Sequence, residues 1–74
     1  MICTGRTTHE LMQIASSGAS FEMLARGRTT HELMQIVNAA RTGGAIIYIV
    51  DARGFTTHEI MQIGAAGRGH VVFK

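Results

Sequence analysis

The sequence predicts an α/β fold, a small β-α repeat array of order β-α-β-α-β-α-β, with a parallel sheet in strand order 1-2-3-4 and three helices mainly on one face. Three observations carry that expectation. The octapeptide Thr-Thr-His-Glu-Leu-Met-Gln-Ile stands at 7–14 and 29–36 and returns as Thr-Thr-His-Glu-Ile-Met-Gln-Ile at 56–63, so its starts are 22 and then 27 residues apart. Spacings of that size fit one supersecondary unit per copy. Runs of β-forming residues separate the copies, and glycines mark the junctions. The 74 residues are read as a single domain, 1–74, of three helix-strand repeats.

Taken in order, Met1 to Thr4 is expected to supply a short edge strand. Helices are expected to start at Thr7, Thr29 and Thr56, because each has a Glu three residues on, at Glu10, Glu32 and Glu59. That spacing is a capping box. The Thr hydroxyl accepts from the backbone N–H at the third helical position, and the Glu reaches back to the cap's own N–H. At about 100° per residue, Leu11, Ile14, Ala15 and Gly18 share one side, as do Leu33, Ile36, Val37 and Ala40, and then Ile60, Ile63 and Gly64. The remaining strands are placed at Ser20–Ala25, Ala45–Asp51 and His70–Phe73. Gly64-Ala-Ala-Gly67-Arg-Gly69 follows a helix and precedes a strand, the reverse of a nucleotide-binding loop, and reads as a helix C-cap and turn whose glycines supply positive φ.

Counting back from the helix starts aligns Phe21, Met23 and Ala25 with Tyr48, Val50 and Ala52, and Glu22 and Leu24 with Ile49 and Asp51. Both faces of the sheet are then substantially apolar. Parallel strands are normally covered on both sides, whereas helices on one side cover only one. The chain is therefore expected to form a homo-oligomer, a dimer by preference, through the face carrying Phe21, Met23, Tyr48 and Val50. If the helices take that face, the set Ile47, Ile49, Val71 and Phe73 replaces it.

Composition narrows the function classes. A chain of this length buries only about 60% of the surface its unfolded form exposes. The single Cys3 rules out an internal disulfide, so packing or self-association must supply stability. Hydrophobic residues make up 46% and charged ones only 16%, which is lean for a free surface and favours cover by another chain. The net charge of +2 is mild. No apolar run approaches the roughly 20 residues of a membrane span, and the opening Met-Ile-Cys-Thr-Gly has neither a basic leader nor an apolar stretch, so a cytoplasmic location without membrane contact is expected.

Candidate chemistry is sparse. His-Glu-x-x-Gln at 9–13, 31–35 and 58–62 differs by one residue from the His-Glu-x-x-His helix of zinc proteases, but that chemistry needs two imidazoles one turn apart, and a Gln amide is a poor zinc ligand. A ladder of His9, His31 and His58 along neighbouring helices is a weaker metal arrangement. No cofactor motif stands out, and no nucleophile has a base partner. The remaining candidate is an anion-binding rim: Arg6, Arg26, Arg28 and Arg53 precede the caps Thr7, Thr29 and Thr56, where three helix N-termini would converge at the carboxyl edge of the sheet.

One helix and one strand per repeat resembles the architecture of leucine-rich repeats, yet their Leu-x-x-Leu-x-Leu-x-x-Asn signature is absent and the helix here precedes the strand. The resemblance stops at architecture. The expectation is a non-catalytic, self-associating binding or scaffolding module, with nucleic-acid or phosphate-ligand binding through the Arg rim as the alternative.

Overall fold

Each Thr-Thr-His-Glu segment does start a helix, and the capping geometry is the same three times. In a computed structural model that describes residues 6–74, the helices are α1 (Thr8–Ser16), α2 (Thr30–Gly43) and α3 (Thr57–Gly67). Thr7, Thr29 and Thr56 hold extended backbone, and each hydroxyl accepts from the Glu N–H three residues on at 3.1 Å. The Glu Oε1 atoms accept in return from the Thr N–H groups at 3.0, 2.8 and 2.8 Å. Two of the four N–H groups a helix start leaves open are thus satisfied within the motif.

The strands are β1 (Phe21–Leu24), β2 (Ile47–Val50) and β3 (Val71–Phe73), parallel and in the order β1-β2-β3. They are shorter than the runs expected, but flanking residues extend the ladder: Ala25 N–H donates to Val50 O at 3.0 Å and Lys74 N–H to Ile49 O at 2.8 Å. The Ser20 hydroxyl accepts from Ile46 N–H at 2.9 Å, tying the entry of β1 to that of β2. The edge strand expected at Met1 to Thr4 lies outside the described residues, as does Cys3.

The register differs by one residue from the count made back from the caps. Phe21 pairs with Ile47, Glu22 with Tyr48, Met23 with Ile49 and Leu24 with Val50, and Ile47, Tyr48 and Ile49 pair in turn with Val71, Val72 and Phe73. The cause lies in the links. Residues 25–29 join β1 to α2, while residues 51–56 join β2 to α3, one residue more. Their turns also differ, with the left-handed residue at Gly27 (φ 84°) in the first and at Asp51 (φ 62°) in the second. Because side chains alternate with period two, a slip of one residue exchanges the faces.

One face of the sheet therefore carries Phe21, Met23, Ile47 and Ile49, all buried, and packs with Leu11, Ala15, Leu33, Ile36, Val37 and Ile63 into one core. Burying each of the larger aliphatic side chains contributes roughly 1.5–3 kcal/mol. The other face carries Glu22, Leu24, Tyr48, Val50 and Val72, all partly or well exposed, with Leu24 at 38% and Val72 at 40%. No helix covers it.

Helix α2 lies between α1 and α3 and packs on both. It ends at Gly44, whose positive φ of 81° lets its N–H donate to Ala40 O. Just before that cap α1 and α2 approach closely: a Cβ on Gly43 would stand 2.4 Å from Ala15 O and 2.5 Å from Ser16 O. Of the glycines expected to supply positive φ at the end of α3, only Gly69 does so. Gly64 and Gly67 are helical, and the left-handed C-cap is Arg68 at φ 44°, followed by Gly69 at 87°. Gly67 is small for a different reason, since a Cβ there would meet Val71 Cγ1 at 2.9 Å and Val37 Cβ at 3.2 Å.

Candidate functional site

The links that follow β1 and β2 meet the starts of α2 and α3 around an open depression of about 1010 Å³ at the carboxyl edge of the sheet. Arg26, Arg28, Thr29, Asp51, Arg53 and Glu59 are among the residues that line it. This is the edge at which open α/β sheets hold ligands. The chain itself engages much of the positive charge there.

Asp51 is the collector. Its left-handed backbone sets the carboxylate between two arginines, so that Oδ1 accepts from Arg53 Nε at 2.7 Å and Oδ2 accepts from Arg26 Nη2 at 3.3 Å and Arg53 Nη2 at 3.4 Å. The Asp51 side chain is 22% exposed, against 78% for Arg26 and 85% for Arg53. The Arg53 hydrogen bond, with the charges of Arg53 and Arg26, holds the Asp51 carboxyl below its ordinary pKa, and the same pairing raises Arg53. Pairs this exposed add little to stability, but they lower the net charge an incoming anion would meet.

Arg28 is turned the other way. Its Nη1 donates to Thr8 Oγ1 at 2.8 Å and its Nη2 to the Arg6 carbonyl at 2.6 Å, so the guanidinium fastens the start of α1 to that of α2. Arg6 is exposed just before α1 and does not line the depression; its charge adds to the Thr7 hydrogen bonds that hold Glu10 in the ionised form. The structure thus brings Arg26 and Arg53 together on one carboxylate and puts Arg28 to work between helices.

A second function of the repeated motif emerges here. The Thr8 hydroxyl donates to Glu32 Oε2 at 3.1 Å, and the Thr30 hydroxyl donates to Glu59 Oε2 at 3.0 Å. Glu32 and Glu59 therefore each serve their own helix with one oxygen and the preceding helix with the other. Hydrogen bonds from the cap N–H are the largest cause that lowers the pKa of Glu10, Glu32 and Glu59, and the neighbouring Thr hydroxyl adds to it at Glu32 and Glu59. A capping box needs only the first Thr of each pair, so the second, also repeated in all three copies, was the signal in the sequence for this joint.

His9, His31 and His58 are exposed on their helices. Among the described residues, no three His, Cys, Asp or Glu side chains cluster in a way that could hold a metal ion. Of the residues expected at a subunit interface, Tyr48 and Val50 stand on the open face. Phe21 and Met23 do not, because the one-residue change of register puts them beneath the helices at 7% and 0% exposure. The set Ile47, Ile49, Val71 and Phe73 shares that covered side.

Sequence reasoning missed what crosses the open face. Lys74 Nζ donates to Glu22 Oε2 at 2.6 Å and lies 5.7 Å from the centre of the Tyr48 ring. A carboxylate from β1, an aromatic ring from β2 and the cation of Lys74 just after β3 thus form a diagonal across a face otherwise built of Leu24, Val50 and Val72. Among the described residues, no helix is long and apolar enough to cross a membrane. Comparison with known proteins finds no matching family model, curated protein or solved structure.

Proposed function

We propose that the chain is a cytoplasmic, non-catalytic scaffolding module that self-associates through the open face of its sheet. The observation that carries this reading is the contrast between the two faces: one is sealed by three helices, the other leaves Leu24, Tyr48, Val50 and Val72 partly in water. Parallel sheets are ordinarily covered on both sides. A second copy suits this face because it carries charges of opposite sign, Glu22 and Lys74, and a two-fold pairing sets the Glu22 and Lys74 of one copy near the Lys74 and Glu22 of the other.

The dimensions limit the strength of that contact. Three strands spaced about 4.8 Å apart, each rising about 3.3 Å per residue, present a face well short of the roughly 800 Å² per partner of a standard interface. The association is accordingly concentration-dependent. Anion binding at the rim is the weaker reading, since Asp51 takes Arg26 and Arg53, and Arg28 serves the α1–α2 joint.

The test is the solution mass by light scattering over a series of protein concentrations, with Tyr48→Ala as the variant and far-UV circular dichroism as the control for folding. The expected result is a mass that rises with concentration in the parent and is reduced in Tyr48→Ala at unchanged helix content. An equal mass for both, with the fold intact, overturns the choice of face.

A further inference from the structure

The three motif copies are nearly identical in sequence and unequal in exposure, and much of the inequality falls on the two flanks of the helix layer. Thr8 and Thr30 are half-buried in their joints, but Thr57 is exposed. Met12 and Met34 pack against the core, but Met61, at the same place in the motif, is 66% exposed. On the opposite flank, Glu32 and Glu59 are half-buried, while Glu10 is exposed. Ile36 and Ile63 are buried, while Ile14 is only partly so. The far side of α3 thus shows the surface that α1 and α2 each turn towards the next helix, and the far side of α1 shows the surface that α2 and α3 turn towards the preceding one.

The geometry points to a head-to-tail contact between copies of this chain, in which α1 of one copy docks on α3 of another as α2 docks on α1 and α3 on α2 within the fold. The internal joints specify its bonds. Thr8 donates to Glu32 and Thr30 to Glu59, so Thr57 donates to Glu10 of the second copy. Arg28 donates to the Thr8 hydroxyl and to the carbonyl of Arg6, the residue before the first cap. Arg6 holds the place of Arg28 one repeat earlier, and Phe55 that place one repeat later. The Arg6 guanidinium of the second copy then reaches the Thr57 hydroxyl and the Phe55 carbonyl. Met61 enters the seam as Met12 and Met34 do. Below the helices, β3 has no partner strand on its outer side among the described residues, so the sheet edge is open at the same end.

This contact is heterologous, joining two different surfaces, and the repeat relation that generates it is a step along the array with the twist of a parallel sheet, so it extends into chains of copies. It uses none of the residues of the open sheet face and stands or falls independently of that reading.

The experiment works in a Tyr48→Ala background, so that the face contact is removed, and uses two exposed positions, Arg6→Glu at the head and Met61→Arg at the tail. Light scattering of Tyr48→Ala is expected to show a mass that rises past the dimer with concentration. Adding either Arg6→Glu or Met61→Arg is expected to return it to the monomer. An equimolar mixture of the two is expected to give a mass twice the monomer and no larger, because one intact head meets one intact tail. A monomeric Tyr48→Ala chain with native circular dichroism overturns the contact, and so does a mixture that remains monomeric. If Tyr48→Ala leaves the parent mass unchanged while the two flank variants lower it, the face reading fails and the head-to-tail contact stands.

Discussion

Gly43→Ala tests how closely α1 and α2 approach. The new Cβ would lie 2.4 Å from Ala15 O and 2.5 Å from Ser16 O, where ordinary contact begins at 3.4 Å, so backbone must retreat by about 1 Å. Ala15 is fully buried in the core and cannot move without opening the seam between the helices. Overpacking of this kind costs about 1–3 kcal/mol, partly offset by the better helix propensity of Ala. Gly64→Ala is the control, because it is also helical but has nothing within 4 Å of the added atom, and it should gain about 0.5–1 kcal/mol. The assay is thermal denaturation followed by circular dichroism, at one fixed protein concentration since association adds to apparent stability. At roughly 4–8 °C per kcal/mol for a domain of this size, the two melting midpoints should move apart in opposite directions. If Gly43→Ala is as stabilising as Gly64→Ala, the helices do not meet as closely as described.

Acid should unfold the chain through its carboxylates. Glu10, Glu32 and Glu59 are lowered first by their cap N–H bonds, Glu22 by Lys74 and Asp51 by Arg53. A carboxylate whose folded pKa is depressed contributes stability that is present above its unfolded pKa and lost as pH falls through the folded one. The melting temperature should therefore be level near neutrality and fall from about pH 5 downward, and a midpoint unchanged at about pH 3 would contradict the bonding described. Asp51→Asn should release Arg26 and Arg53 while Asn keeps the left-handed backbone. Fluorescence titration with duplex DNA should then show tighter binding than the parent, with the salt slope steeper by about 0.9 per phosphate neutralised. Identical titrations would show that Asp51 does not mask the rim.

The helices and their starts were legible in the sequence because a capping box is a local device, complete within four residues and written three times. The sequential parallel order of the described strands was legible for a similar reason, since a helix between two short β runs leaves little choice of connection. The register was not, because it depends on how each link turns. Gly27 announced its positive φ by being glycine, but Asp51 takes the same backbone region with a side chain, and the link it opens is one residue longer. That single difference moved Phe21 and Met23 from the expected interface into the core. The rim arginines were legible as a group, whereas the assignment of Arg26 to Asp51 and of Arg28 to Thr8 depended on which side chains the fold brings within reach across 25 and 20 residues.

The joint between neighbouring helices has a bearing on heredity. Donor and acceptor, the second Thr and the Glu, both lie inside the same eight-residue segment, so a tandem copy of the coding stretch arrives with each half of its docking surface already matched to the original. No compensating change elsewhere in the gene is required for the new helix to find its place. Mutations at the two positions would be felt unequally. Loss of the second Thr severs one joint on one side only, while loss of the Glu removes a helix cap and a joint together, so the Glu should tolerate less drift as such copies diverge.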